Sequence, residues 1–156
     1  MATLTLMCGF PRSGKSTWVK NNRNGRLVIE PDWIRRVILG HQFHKPAEPV
    51  IWLITDSFIR ICLSQGQDVI LDGTNLQPFV RMKYIELAKS LNHRIVCVWI
   101  STPMHICIQR NNESPEGKKL PTNVLTFKES EFTPPCDTEG FDQIIKIDEK
   151  GQVCYP

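Results

Sequence analysis

No stretch of this chain approaches the roughly 18 consecutive apolar residues that a membrane-spanning helix requires. Its first apolar run passes straight into glycine and charged residues rather than into a signal-peptide cleavage site. Both absences point to a soluble, cytoplasmic protein without a membrane partner. The six cysteines (Cys8, Cys62, Cys97, Cys107, Cys136 and Cys154) include no CxxC pair, and several lie inside apolar runs. They argue against a disulfide framework and read as reduced core thiols. His41, His44, His93 and His105 have no ligand-like spacing to those cysteines, which argues against a structural zinc site. Internal repeats and low-complexity tracts are missing too. Charge is nearly balanced, with 19 Lys and Arg against 16 Asp and Glu, so the net +3 permits a polyanionic partner without requiring one. At 156 residues, 41% of them hydrophobic, the chain has material for one core and one domain, spanning 1–156.

What the chain does have is concentrated at its start. Leu4 to Cys8 reads as a short buried strand, and GFPRSGKS, Gly9 to Ser16, follows it and matches G-x-x-x-x-G-K-[ST] at every fixed position. Gly9 and Gly14 let the backbone bend around a pyrophosphate, so that several N–H groups and the positive end of the next helix face the phosphate oxygens. Lys15 is then expected to reach the β- and γ-phosphates of ATP, and the Ser16 hydroxyl to coordinate the Mg2+ that bridges them.

Beyond the loop, short apolar runs alternate with helical patterns. Strands are expected at Leu27–Ile29, Asp68–Asp72, Arg94–Ile100 and Gln143–Ile147 besides the first, with helices over Ser13–Asn22, Asp32–Leu39, Val50–Gln65, from Pro78 through Leu91, from Pro103 to Arg110, and from Pro121 to Ser130. The Val50–Gln65 helix carries Ile51, Ile54, Phe58 and Ile61 at helical spacing, with Trp52, Leu53, Ile59 and Leu63 widening the apolar face, and reads as well buried. The stretch HQFHKPAEP before it reads as a loop, and Asn111–Lys119 as a mobile surface loop. Continuous apolar strands between helices indicate an α/β fold of the P-loop NTPase type: a five-stranded parallel sheet sandwiched by helices, with a short lid at about 111–120. Chemistry belongs at the C-terminal ends of such strands.

Three polar clusters fall there: the loop, then Asp32 with Arg35, then Asp72-Gly73-Thr74-Asn75. Phosphoryl transfer needs a phosphate cradle, a metal, a base for the acceptor hydroxyl and cations on the moving group. Asp32 is the candidate base, unless it only caps its helix, and Arg35 lies one turn later on the same face, where it can hold an anionic acceptor. Asp72 closes an apolar strand where an acid orients the metal or its waters; a turn-forming Asp-Gly is the alternative. Arg110, beside the presumed lid, suits an arginine finger as well as it suits a helix C-terminus, and Lys118 and Lys119 are secondary cations. Trp18, Trp33, Trp52 and Trp99 fit core positions, with Trp33 and Phe43 also able to line an acceptor pocket.

Taken in order, these segments resemble the polynucleotide 5′-kinase branch of the P-loop kinases over nearly the whole chain. GFPRSGKSTW resembles its G-x-P-G-S-G-K-S-T-x loop, EPDWIRR its D-x-x-R, DGTNLQPFVR its D-x-T-N-L-x-P-x-x-R, IQRNN its R-N entering the lid, and EGFDQIIKI its terminal strand. The resemblance implies that Gly9, Pro11, Arg12, Ser13, Gly14, Lys15, Ser16 and Thr17, with Arg110, hold ATP. It also implies Ser16 and Asp72 at Mg2+, Asp32 as general base, Arg35 on the acceptor and Arg110 on the transition state. Two departures stand out: Arg12 occupies a glycine position, and Asn111 to Gly117 contains no second lid arginine. Three functions remain open: a kinase for a nucleic-acid 5′-hydroxyl, a kinase for a small molecule such as a nucleoside, sugar nucleotide or antibiotic, and a nucleotide-binding switch.

Overall fold

The computed structural model describes residues 1–40 and 44–154. His41 and Phe43, considered above as a zinc ligand and an acceptor-pocket residue, lie outside the described residues. The elements run β1 Thr3–Cys8, α1 Lys15–Asn22, β2 Leu27–Ile29, α2 Pro31–Leu39, α3 Glu48–Ser64, β3 Val69–Leu71, α4 Pro78–Ser90, β4 Arg94–Ile100, α5 Met104–Asn112, α6 Thr122–Ser130, β5 Gln143–Ile147 and β6 Val153–Cys154. The sheet has the order β2-β3-β1-β4-β5-β6, and the first five strands are parallel. No helix of the described residues is long and apolar enough to cross a membrane.

The sheet therefore has six strands rather than the five expected. β6 is antiparallel to β5, pairing Cys154 with Lys146 and Val153 with Ile147. Two residues carry no hydrophobic period, so only the turn could have signalled this strand. That turn is an Asp-anchored one: the Asp148 carboxylate accepts from the Lys150 and Gln152 amides at 2.9 and 2.8 Å, and Gly151 takes a φ of +83° that suits its missing side chain.

α3 differs from expectation in its face. The residues it buries are Ile51, Thr55, Ile59 and Leu63, while Phe58 and Ile61 are 48% and 57% exposed. The i, i+4 stripe passes through Thr55 because its hydroxyl donates to the Ile51 carbonyl at 2.8 Å, so a polar residue sits in the core without an unmet group. None of the tryptophans is a core residue either. Trp33 is 54% exposed, and Trp18, Trp52 and Trp99 are half-buried beneath Arg26, Arg35 and Lys146 respectively, whose cationic groups lie 4.7–5.9 Å from the ring centres. Of the cysteines, all six are free, but only Cys8, Cys97 and Cys107 are buried and Cys136 is exposed.

The core fills both faces of the sheet. Leu4, Leu6, Ile51, Ile59, Leu63, Leu71, Tyr84 and Ile95 belong to one cluster, and Met7, Val19, Ile70, Val98 and Ile147 to another. Alternate residues of β1 thus serve opposite layers, as a central parallel strand must. β1 lies between β3 and β4, so the chain leaves β1 toward β2 on one side and later returns to β4 on the other. Loops at the C-terminal end diverge at that point and leave a crevice.

One ion pair organises that end of the sheet. Arg81 on α4 is wholly buried, and its Nε and Nη2 donate to Glu139 Oε2 and Oε1 at 2.7 and 2.6 Å. Its Nη1 donates to the Asn75 and Leu76 carbonyls at 3.1 and 2.8 Å, while Glu139 Oε1 also accepts from the Cys136 amide at 3.1 Å. Burial is the strongest single influence and works against the charge on Arg81, but the hydrogen bonds to Glu139 and the neighbouring negative groups together outweigh it, and its pKa lies above the ordinary value. Removing one partner strands a buried charge, which costs about 3–5 kcal/mol. Glu139→Gln is therefore expected to lower the unfolding free energy in urea by about 3 kcal/mol; a Glu139→Gln protein as stable as the parent would exclude this role for the pair.

Candidate functional site

The crevice is built from the ends of β1, β2 and β3. At Gly9 the chain leaves β1 with φ +147°, and a Cβ there would stand 2.7 Å from the Ile100 carbonyl oxygen and 3.0 Å from Ser13 Oγ. Only glycine fits so close to the end of β4. The Gly9 amide donates to the Thr74 carbonyl at 3.0 Å, and Gly14, at φ +109°, turns the chain into α1. Phe10 is drawn out of the loop into a small apolar cluster with Met104, Cys107 and Leu125, and packs edge-on against Phe132 with ring centres 5.0 Å apart. The loop is thereby anchored to α5 and α6, the helices that flank the expected lid.

Lys15 is buried and its Nζ donates to the Phe10 carbonyl at 2.7 Å, bridging the two arms of the loop. Burial pulls its pKa below the ordinary lysine value and the nearby Asp72 charge resists that pull, so the ammonium has few charge partners other than Asp72. Asp72, also buried, accepts from Ser16 Oγ at 2.8 Å, and burial pushes its carboxyl above the usual carboxylate range despite that bond. A hydroxyl and a carboxylate side by side, with no cluster of three acidic, His or Cys ligands among the described residues, suit Mg2+, which keeps most of its waters and takes one or two protein oxygens plus phosphate. Ser16 and Asp72 fit that ion.

Asp32 occupies the first turn of α2, where Pro31 opens the helix. Its side chain is 64% exposed, and its Oδ1 accepts from Arg35 Nη1 at 2.6 Å. Its charge reaches both Lys15 and Asp72. Arg35 is buried, and the rest of its fork is taken by Glu48, with Nε to Oε1 at 2.8 Å and Nη2 to Oε2 at 2.7 Å, while the guanidinium lies 5.4 Å from the Trp52 ring centre. Sequence reasoning brought Asp32 and Arg35 together but did not pair Glu48 with them, since it lies 13 residues away with no local pattern to mark the meeting. The hydrogen bonds to Arg35 hold Glu48 below the usual carboxylate range.

Arg110 lines an open cavity of about 700 Å³ with Arg12, Ser13, Gly14, Lys15, Ser16, Thr17 and the turn 147–151. Its Nη1 donates to the Arg12 and Ser13 carbonyls at 3.2 and 2.9 Å and its Nη2 to the Glu149 carbonyl at 3.1 Å, so it fastens the loop to the β5–β6 turn. Thr102 Oγ1 adds a second donor to the Ser13 carbonyl at 2.7 Å. The segment expected as a lid is clasped at its base by Asn111, whose side chain donates to the Leu120 carbonyl at 2.8 Å and accepts from the Leu120 amide at 2.9 Å. Within it, Glu116–Lys118 forms a 3-10 turn, and Lys119 pairs with Glu116 at 2.6 Å. Arg12 Nη2 donates to the Lys118 carbonyl, joining loop and lid. Asn75, placed in a strand-end cluster but given no role of its own above, adopts φ +44° and donates to the Met7 carbonyl at 2.7 Å, which fixes the end of β1.

Fold and loop together define a nucleotide-binding P-loop protein with its crevice at the strand ends. More closely, the AAA-domain family matches residues 4–135, and the chain belongs to that family. It is 28% identical over 97% of its length to an L-seryl-tRNA(Sec) kinase of Methanococcus maripaludis, and 28% identical over 92% of its length to a bifunctional polynucleotide phosphatase/kinase of Acanthamoeba polyphaga mimivirus. The chain spans 61% and 32% of those two relatives. A crystal structure of a kinase-like protein from Chloroflexus aurantiacus superposes with a TM-score of 0.75 at 15% identity, over 94% of this chain and 85% of that one, which establishes the shared fold.

The Glu48–Arg35 pair carries a pH signature. Because the folded pKa of Glu48 is depressed, its stabilisation is complete above the unfolded value of about 4.3 and is lost as pH falls through the folded value. Glu48→Gln is expected to cost about 2 kcal/mol at pH 7 and to flatten the decline of stability below about pH 4, read from urea unfolding across that range.

Proposed function

We propose that this chain is an ATP-dependent kinase that phosphorylates a hydroxyl carried by a nucleic acid, a 5′-hydroxyl end of DNA or RNA. One observation carries the acceptor class: Asp32 is 64% exposed at the mouth of the crevice and belongs to no lining of the large cavity, so the acceptor approaches an open rim rather than an enclosed pocket. A small-molecule site encloses most of its ligand; the end of a macromolecule needs access instead. The names of the two relatives, one acting on a tRNA and the other on a polynucleotide, support the same class.

In this reading the loop amides, Lys15 and Thr17 cradle the phosphates of ATP, with Gly9, Pro11, Ser13 and Gly14 shaping the turn. Ser16 and Asp72 would hold Mg2+, which would supply charge neutralisation to the bound phosphates. Asp32 accepts the proton of the acceptor hydroxyl as its oxygen forms a bond to the γ-phosphorus; the bond from that phosphorus to the β–γ bridging oxygen breaks, and ADP leaves with the electron pair. Arg35 is a positioning residue: gripped by Glu48, it presents Nη1 to Asp32 and fixes the base. Arg110 holds the loop carbonyls and lines the nucleotide cavity.

A second reading keeps the reaction and changes the acceptor to a small molecule without a phosphate. It is favoured by the charges of α2, where Arg35 is paired to Glu48 and Arg36 to Glu30 at 3.2 Å, leaving neither guanidinium unpaired for a nucleic-acid backbone. γ-Phosphate transfer from Mg-ATP to 5′-hydroxyl oligonucleotides and to nucleosides separates the two. Label on the oligonucleotide end is expected, with a loss of about 100-fold or more in Lys15→Ala and Asp32→Asn; label confined to small acceptors would replace the acceptor class, and hydrolysis indifferent to Asp32→Asn would exclude the kinase.

A further inference from the structure

The loop holds one residue that its fold does not call for. Arg12 sits at φ +66°, in the left-handed region where a side chain is disfavoured. A backbone outlier that persists is held by its surroundings and points to use. The Arg12 side chain spans the gap between loop and lid, with Nη2 donating to the Lys118 carbonyl. Its Nε is buried and has no hydrogen-bond partner, and the residue lines the same cavity as Lys15, Ser16 and Arg110. A buried guanidinium N–H left unmet is costly, and a phosphate oxygen is a fitting acceptor for it.

The other guanidinium at the site keeps its charge but has both terminal nitrogens held by backbone. Arg110 directs Nη1 to two loop carbonyls and Nη2 to a third carbonyl on the β5–β6 turn. From Asn111 to Gly117 there is no arginine, and Lys119 is paired with Glu116. Transfer of a phosphoryl group spreads charge over its three equatorial oxygens and builds charge on the bridging oxygen that departs with ADP, and a forked cation stabilises that charge better than an ammonium can.

We infer that Arg12 is a catalytic residue of the loop itself: its Nε and Nη donors contact the transferring phosphoryl group and replace the missing lid arginine, while the Lys118 carbonyl holds the side chain in reach. This rests on the phosphotransfer reading and deepens it. Arg12 moves no proton; the bond changes are those described above, and its donors stabilise the oxygens as they occur. The lid segment 116–118 thereby becomes the support of a loop residue rather than the bearer of its own finger.

The test compares wild type with Arg12→Gly and Arg12→Lys. Glycine accepts the positive φ, so Arg12→Gly is expected to fold with an unchanged or higher Tm. Its affinity for Mg-ADP is expected to stay within about threefold of wild type while the transfer rate falls about 100-fold or more, with Arg12→Lys recovering only a small part. Aluminium fluoride, which completes a transition-state mimic with ADP, is expected to tighten Mg-ADP binding in wild type and not in Arg12→Gly. Transfer and fluoride-dependent tightening within threefold of wild type in Arg12→Gly would overturn the inference. So would a fall in ADP affinity and Tm that accounts for the whole loss of rate, since that is a latch and no more. If wild type phosphorylates no acceptor, the kinase reading falls on its own. The fluoride comparison, which needs no acceptor, still decides the role of Arg12.

Discussion

The buried pair between Arg81 and Glu139 is the constraint on which the site depends. Its guanidinium grips two consecutive carbonyls, Asn75 and Leu76, and so fixes the segment that follows β3. That segment in turn holds β1: Asn75 donates to Met7, its carbonyl accepts from the Cys8 thiol at 3.4 Å, and Thr74 receives the Gly9 amide. A single ion pair about as dry as the core therefore sets where the phosphate loop begins. Such a pair adds little net stability, because desolvation offsets most of the attraction, but it is intolerant of a missing partner and so enforces one geometry.

The phosphate-loop side and the α2 side of the crevice, which we propose take nucleotide and acceptor, are organised by contrasting physics. On the nucleotide side, arginines bind backbone: Arg110 and Arg12 knit loop, lid and the β5–β6 turn together through carbonyl oxygens. Neutral carbonyls leave the positive charge unspent, and the cavity remains cationic. On the acceptor side, arginines bind carboxylates: Arg35 faces Asp32 and Glu48, and Arg36 faces Glu30. Charge there is consumed locally, leaving Asp32 exposed beside a neutralised partner. An anionic substrate is thus drawn to one half of the crevice and a hydroxyl can be met at the other.

Much of this was legible in the sequence because it rests on local pattern. Five parallel strands, the loop, the strand-end acids and the helix boundaries follow from apolar runs, glycines and prolines, and each lies within a few residues of its expected place. What escaped depends on distance along the chain. Glu48 meets Arg35 across 13 residues and Glu139 meets Arg81 across 58, and no period marks such a meeting. The face of α3 was misjudged because Thr55 meets its own need for a hydrogen bond and so behaves as an apolar residue. The tryptophans were misjudged because Trp33 is exposed and Trp52 and Trp99 lie half-buried beneath cations, while Trp18 only packs at the margin of the core. β6 was too short to have a period at all.

The close approach of Gly9 to the end of β4 bears on how such a loop diversifies. No side chain fits at Gly9, and Gly14 must reverse the chain into α1, so both ends of the loop are closed to change. Position 12 alone combines a backbone that glycine would satisfy with open space toward the lid, as the reach of Arg12 to Lys118 demonstrates. A change of side chain at that position therefore alters the chemistry of this cradle while the turns at its two ends keep their shape.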